Sequence, residues 1–466
     1  MTDVIKGKDR LIGSEADALS LYGTAPEKYH GKVGLEVEMP LFKPGATRPQ
    51  IPTANEMLQM HASLKAKGFD AQLEASGVLE YASPPVNVAD AGKLAQIARK
   101  EMQAFEAEAE KHGYARAPFC ILPTTSLDDA LKNKVPRERL ETSLAVIREA
   151  FHEDITQIPL LTTGVQTSFS PKNADEMFRM AVRGYAVTPL IIAAMNSSAG
   201  FSCNDNDRKD YHLRGKYYDL YGTSGGISPA FLKSSNAGEM IKNHISQVFD
   251  APMYFAYDAE GSLMKSTKDN ILTFRKLAAQ GLNTQTNYEL AESFLYNDIK
   301  ICNLRDEAGA VVGKRIEVRA ADSGLHQPAS TLLLTAAVVP DGKTADAFDR
   351  LLKDYGFTGN PKLDGPLLQE ARDAAINHGG RFMDVKFGTG SLREFAADVA
   401  SLVEAHYSRD KTVAPDVAKL CDVLLTGDCD AKVFAQTFPT LQSVANDLQR
   451  SANVKPATAP QRKLAR

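Results

Sequence analysis

The chain is poor in cysteine, with five among 466 residues at Cys120, Cys203, Cys302, Cys421 and Cys429. The number is odd and no pair has C-x-x-C spacing. That argues against a disulfide framework or a zinc ribbon and for reduced thiols in a cytoplasmic protein. Long hydrophobic runs are missing too. The longest, 186–195 and 331–339, are each about half of what a bilayer span needs, so no membrane association is expected. The first twenty residues alternate charges around no apolar segment, and no secretory signal is expected. Neither sign of charge dominates: 54 Lys and Arg stand against 58 Asp and Glu, a net charge of −4. This balance excludes a strongly basic nucleic-acid binder and an acidic disordered chain. Common catalytic signatures are likewise absent. Gly309 and Gly313 are one residue too close for a P-loop, and Arg315 follows Lys314 where Ser or Thr is required. No H-E-x-x-H occurs, and GTGSLREF (388–395) lacks the third glycine of a dinucleotide fingerprint.

What is present is an irregular alternation of strand-like and helix-like segments, expected to form one body over 31–340 after a loosely ordered lead-in at 1–30. In KVGLEVEMPLF (32–42), Val33, Leu35, Val37 and Met39 point one way, with Gly34, Glu36 and Glu38 on the other side. Residues 54–68 predict a helix stopped by a glycine, and 69–85 a hairpin turning at Ala75-Ser76-Gly77. A long helix is expected at about 88–112. Strands are expected at 160–171, 251–258 and 311–324, and a helix capped by Asn173 runs to about Met195. After 340 the pattern turns helical (344–355, 366–378, 391–408, 414–425, 430–452) with no strand. A helical C-terminal subdomain at 341–452 and a disordered tail at 453–466 follow. Strands scattered among long helices without βαβ regularity predict an α+β fold with an antiparallel sheet.

Glu36 and Glu38 stand at i and i+2 on a strand and share a face. Two unit charges ~4 Å apart repel by about 4 kcal/mol at an effective dielectric of ~20. Mg²⁺ or Mn²⁺, which take hard oxygen ligands, would relieve that repulsion, and a solvated edge is the plainer alternative. Glu74 and Glu80 flank the hairpin turn and can join the same site, or face water as a cross-strand pair. Gln166 gains meaning only in their company. Glu317 and Arg319, with Arg315, put a carboxylate beside guanidinium groups, which suits metal and phosphate together; a surface ion pair is the alternative. The run 207–226 mixes basic residues, four tyrosines and a glycine-rich end, as a mobile loop over an anionic substrate would, or as any surface loop would. Gly222-x-Ser224-x-Gly226 fits a hydrolase nucleophile elbow, but that motif requires a buried strand before it and a helix directly after it, and here YYDLY precedes and ISPAF, with an unhelpful Pro229, follows.

Taken in order, GLEVE (34–38), QLEASGVLEYASPP (72–85), TTGVQTSFS (162–170), MNSSAGFS (195–202), YHLRGKYYDLYGTSGGISPAF (211–231), APMYFAY (251–257) and KRIEVRAADSG (314–324) resemble the glutamate–cysteine ligases, with the plant and α-proteobacterial branch nearest. The resemblance implies a glutamine-synthetase-like core, a curved antiparallel sheet holding Mg²⁺ (or Mn²⁺) between ATP and amino acids. It places Glu36, Glu38, Glu74, Glu80, Gln166 and Glu317 at metal-ligand positions, with Glu36, Glu317 and Arg319 central to catalysis. Arg319 and Arg315 fall on the nucleotide's phosphates, and Arg214, Tyr217 and Asn196 on the substrate. The implied reaction joins the γ-carboxylate of glutamate to the amine of cysteine through a γ-glutamyl phosphate, the first step of glutathione synthesis. Phosphoryl transfer needs positioning and charge neutralisation more than a nucleophilic side chain, which matches a donor set without a Ser–His pair. Small molecules alone are the expected partners, for a monomer or homodimer in the cytoplasm. The sequence departs from the family at Ser198-Ala199-Gly200, at Phe201-Ser202-Cys203 and in the turn A-S-G-V, all near the acceptor region. A ligase for another amine is therefore the alternative. A non-catalytic relative would have no reason to keep Glu36, Glu38, Glu317 and Arg319 together.

Overall fold

The alternation of residues 32–42 is used as a two-faced strand. In the computed structural model, which describes residues 9–45, 50–151, 153–201, 205–209, 211–378 and 385–450, β1 (Lys32–Phe42) buries Val33, Leu35, Val37 and Met39 almost completely. Each such side chain contributes roughly 1.5–3 kcal/mol. Around it lie β2 (Ala71–Leu73), β3 (Val78–Ala82), β4 (Val86–Asn87), β5 (Ala115–Arg116) and β6 (Gly164–Phe169). Later in the chain come β7 (Phe255–Tyr257), β8 (Leu263–Lys265), β9 (Ile299–Arg305), β10 (Val311–Asp322), β11 (Lys386–Phe387) and β12 (Gly390–Ser391). The main sheet runs β2-β3-β1-β6-β10-β9, with β4 and β5 on the ends of β1; every pairing is antiparallel. The sheet curls into a half-barrel, and a bulge between Val318 and Ala321 bends β10. This is the α+β architecture expected from the sequence.

Helices Ala91–Lys111 and Gln327–Val338 cover the apolar face of β1. Helix Ala174–Ala194, with Asn173 accepting a capping bond from Glu176, packs behind β10. It is the one helix among the described residues long and apolar enough to cross a membrane, with a mean hydropathy of 1.2. Yet 83% of that apolar stretch is buried within the fold, where its hydrophobicity is satisfied by the core.

Several expectations need correction. Residues 9–30 are not a loose lead-in: Tyr22 is buried and donates to Glu292 at 2.6 Å, in a network with Tyr288, His244 and Lys314. In the segment expected as one helix over 430–452, residues 430–450 form two helices, Asp430–Thr437 and Leu441–Arg450, separated by a turn after Phe438, and 451–452 lie outside the described residues. A strand pair, β11 and β12, does occur after 340. The 207–226 run is no open loop: Leu213–Asp219 is a helix with His212 as its cap, and Leu213, Arg214 and Gly215 are buried. β9 carried too few alternating positions to be recognised, since only Ile299 and Ile301 are buried. The 453–466 tail lies outside the described residues, as do Ser202 and Cys203.

Candidate active site

Register builds the site. Glu36 faces Ala82 on β3 and Gln166 on β6; Glu38 faces Glu80. Glu317 faces Ser168 on β6 and Lys300 on β9. Side chains directly opposite one another on antiparallel strands share a face. The polar face of five neighbouring strands thus collects the predicted donors into one patch, polarised in charge.

The acidic half lies over β1 and the hairpin. Gly164 N–H and the Gln166 amide donate to the two oxygens of Glu38, at 2.5 and 3.0 Å. Among the described residues, no cation lies at hydrogen-bond distance from Glu74 or Glu80. Burial, then repulsion from Glu38, raises Glu74 to about 7. Burial, then Glu74, Glu38 and Glu36, raises Glu80 to about 10, and protonated Glu80 donates to Glu74. Glu36 is also raised, by burial and then by Glu317, against the pull of Arg315 and Arg319.

The basic half lies over β10 and β9. Arg315 donates to Ser168 at 2.9 Å, Glu317 at 2.8 Å and Glu36 at 3.4 Å, and Arg319 donates to Glu317. Burial alone would raise Glu317, but Arg315 and Arg319 hold it at about 2. Lys300 joins them; burial, with Arg319 close by, pulls it below the ordinary lysine range. Arg214 reaches in from helix Leu213–Asp219. It donates to the Arg319 carbonyl at 2.6 Å, and its guanidinium carbon lies 4.6 Å from the ring centre of Tyr218. A Cβ at position 164 would stand 2.6 Å from an Arg214 nitrogen, so Gly164 is what lets the guanidinium lie against β6. The Nε–H groups of Arg214, Arg315 and Arg319 are all buried with no acceptor. Orphaned donors of this kind are rare and costly in folded chains. Three on one face are donors that anionic oxygens could pair.

Of the predicted residues, the structure brings together Glu36, Glu38, Glu74, Glu80, Gln166, Glu317, Arg315, Arg319 and Arg214. Tyr217 does not join them. It packs on the hydrophobic clusters, while Tyr218, four residues after Arg214 and hence on the same helix face, meets the guanidinium. Asn196 is buried; its side chain accepts a bond from Ser198 N–H in a turn and its carbonyl accepts Ala431 N–H. The i, i+4 spacing would have identified Tyr218, and Ser168 lies two residues beyond Gln166. Lys300 had no signal, because its strand was not recognised.

The donors fit a hard cation in part. Among the described residues no three His, Cys, Asp or Glu already surround one point closely enough to hold a metal. Glu36, Glu38, Glu74 and Glu80 nonetheless supply only oxygen, and divalent Mg²⁺ or Mn²⁺ could take the place of the protons that Glu74 and Glu80 hold. Glu317 differs from them, since guanidinium donors already occupy both its oxygens.

The nucleophile-elbow motif lacks its setting. Ser224 ends a short 3-10 turn, Gly222–Ser224, that follows a helix rather than a strand. The groove it lines holds Lys233, Asn243, Gln247 and Asp250 but no histidine. Ser224→Ala should leave turnover within about two-fold of the wild type; complete loss in a folded variant would restore the hydrolase reading.

No family model matches the chain, and no curated protein matches it. Among solved structures it is similar to glutamate–cysteine ligase from Francisella tularensis in complex with AMP. That match has 13% identity, covers 93% of this chain and 91% of the other, and has a TM-score of 0.48. It is also similar to a structure of the complex between the prokaryotic ubiquitin-like protein Pup and its ligase PafA, at 12% identity, 92% and 73% coverage, and a TM-score of 0.33. Neither likeness is close enough to carry the chemistry, which rests on the side chains.

Proposed function

We propose that the protein is an ATP- and Mg²⁺-dependent carboxylate–amine ligase, and that it joins the γ-carboxylate of glutamate to the amine of cysteine. The observation that carries this reading is the polarised face: four crowded glutamates beside Arg214, Arg315, Arg319 and Lys300, with three buried guanidinium N–H donors left unpaired. Making an amide from a carboxylate requires a leaving group, supplied by transfer of a phosphoryl group from ATP. The chain's part is to hold the anions in line and compensate their charge. Arg315 and Arg319, held by Glu317, would take phosphate oxygens with their remaining N–H donors. Arg214 is placed for the carboxylates of the amino-acid substrate. Glu36, Glu38, Glu74 and Glu80 would hold Mg²⁺, with Gln166 orienting Glu38; Glu317 anchors the two arginines rather than the metal. Bound Mg²⁺ would neutralise the transferring phosphate and the glutamates together.

A different amine acceptor is the second reading, favoured by the segment 196–201. There Ala431 N–H donates to the Asn196 carbonyl at 3.0 Å, and Arg208, 5.8 Å from the Phe201 ring centre, donates to the Ala435 and Phe438 carbonyls at 3.2 and 3.3 Å, contacts that tie the acceptor region to the C-terminal helices. The test is ADP release from ATP, Mg²⁺ and glutamate with a panel of amines that includes cysteine. Release with cysteine supports the first reading, release with another amine the second, and none with any acid and amine pair defeats both. Arg214→Ala should raise the KM for the acid roughly ten-fold or more while that for ATP changes by about two-fold or less. Equal small effects on both would remove Arg214 from the substrate.

A further inference from the structure

Arg214 and Arg319 come from distant parts of the chain and repel each other, yet the Arg214 guanidinium lies on the Arg319 carbonyl. Something must hold them together before an anion arrives. That one bond is the direct link between them, because the Arg319 guanidinium is committed to Glu317 and Arg214 Nε–H is unpaired.

The restraint lies in the C-terminal helix Pro361–His378. Its Arg372 is only 1% exposed. Arg372 Nε and Nη2 donate to the two oxygens of Asp298, at 2.5 and 3.4 Å, and Nη1 donates to Asp219 at 2.7 Å. On its exposed side Nη1 stands 3.7 Å from Asp373. The backbone carbonyl of the same Asp298 accepts the Arg319 backbone N–H at 2.9 Å, so the arm of the guanidinium that holds the Asp298 side chain steadies the residue to which Arg319 is bonded. Asp219 is the last residue of helix Leu213–Asp219, so the other arm fixes the end of the helix that bears Arg214 and Tyr218. The start of that helix is held one turn along the same C-terminal helix. The Ile376 carbonyl accepts His212 N–H at 2.8 Å, and Gly215 packs so closely on Ile376 that an added Cβ would stand 2.9 Å from it. Residues four apart share a helix face, so Arg372 and Ile376 grip both ends of one short helix.

We propose that Arg372 is a positioning residue. Through Asp298 and Asp219 it sets the spacing of Arg319 and Arg214, which makes the helices after residue 340 a working part of the anion site. Its kinetic consequence rests on the ligase reading; its structural consequence does not. Arginine suits this role because its planar fork presents fixed N–H donors to Asp298 and Asp219 at once, whereas a lysine would offer one point charge on a flexible stem.

The experiment uses the full chain with Asp219→Asn and Arg372→Lys, read by amide exchange and by steady-state kinetics. Amides of 213–219 should exchange about ten-fold or more faster in both variants, with the sheet unchanged. In Asp219→Asn the KM for the acid should rise about ten-fold and that for ATP stay within about two-fold; Arg372→Lys should lower kcat as well. Wild-type exchange and kinetics in both variants overturn the proposal. Asp219 is partly exposed, so Asp219→Asn leaves the buried Arg372–Asp298 pair intact and decides the matter if Arg372→Lys does not fold. A wild type without turnover defeats the ligase reading, and the exchange measurement still decides this one.

Discussion

Glu317→Gln is expected to abolish ADP-forming turnover, by roughly a thousand-fold or more, because one charge at a desolvated reacting centre controls several kcal/mol. The carboxylate is 2% exposed, with Arg315 and Arg319 each donating to one oxygen and Lys300 opposite on β9. Glutamine keeps the shape but supplies one acceptor oxygen and an NH₂ group where two anionic oxygens stood. One arginine loses its Glu317 acceptor, and Arg315, Arg319 and Lys300 are left with Glu36 as the carboxylate bonded to Arg315. The stability cost is substantial too, as it is for any buried ion pair deprived of one member. Circular dichroism must therefore show a folded variant before its turnover is read. Glu36→Gln should also lose turnover, at the acidic edge of the same patch. Near-normal ADP release from both folded variants would remove this face from the chemistry.

The second large effect has opposite signs for stability and function. Glu80→Gln should stabilise the metal-free protein at pH 8–9 while weakening divalent-cation binding by roughly 10–100-fold. Glu74 and Glu80 keep their protons in the folded chain well above the ordinary carboxylate value of 4.5, to about 7 and about 10. Between those limits the folded state binds more protons than the unfolded one. Stability present below the ordinary value is therefore lost as pH rises through 7 towards 10. Removing one carboxyl from the quartet removes part of that loss. A cation that takes the place of the protons does the same, so its benefit must grow with pH. Saturating Mg²⁺ or Mn²⁺ should raise the Tm of the wild type by about 2–4 °C at pH 8.5 and by less at pH 6. In Glu80→Gln the increment should shrink at both pH values. A cation effect that is absent in the wild type, or larger at pH 6, would separate these glutamates from any metal.

The sequence by itself determined which residues share a face. Alternation along 32–42 and 314–319 put Glu36 and Glu38 on one side of β1 and Arg315, Glu317 and Arg319 on one side of β10, because successive side chains of a strand point to opposite faces whatever the strand pairs with. The glycine turn likewise fixed the hairpin that brings Glu74 near Glu80, with Gly77 adopting a positive φ of 64° there. Only the tertiary structure decided who meets whom. The order β2-β3-β1-β6-β10-β9 joins strands nearly 150 residues apart, and such partnering depends on non-local packing that no local period encodes. That order splits the predicted donors into an acidic and a basic half and assigns Glu317 to the arginines. It brings in Lys300 from a strand too weakly patterned to recognise. Helix phase, set by how Leu213–Asp219 docks, chose Tyr218 over Tyr217. Arg372 gave no sign in the sequence, because a lone arginine in a helical segment reads as surface until its two buried acceptors are in place.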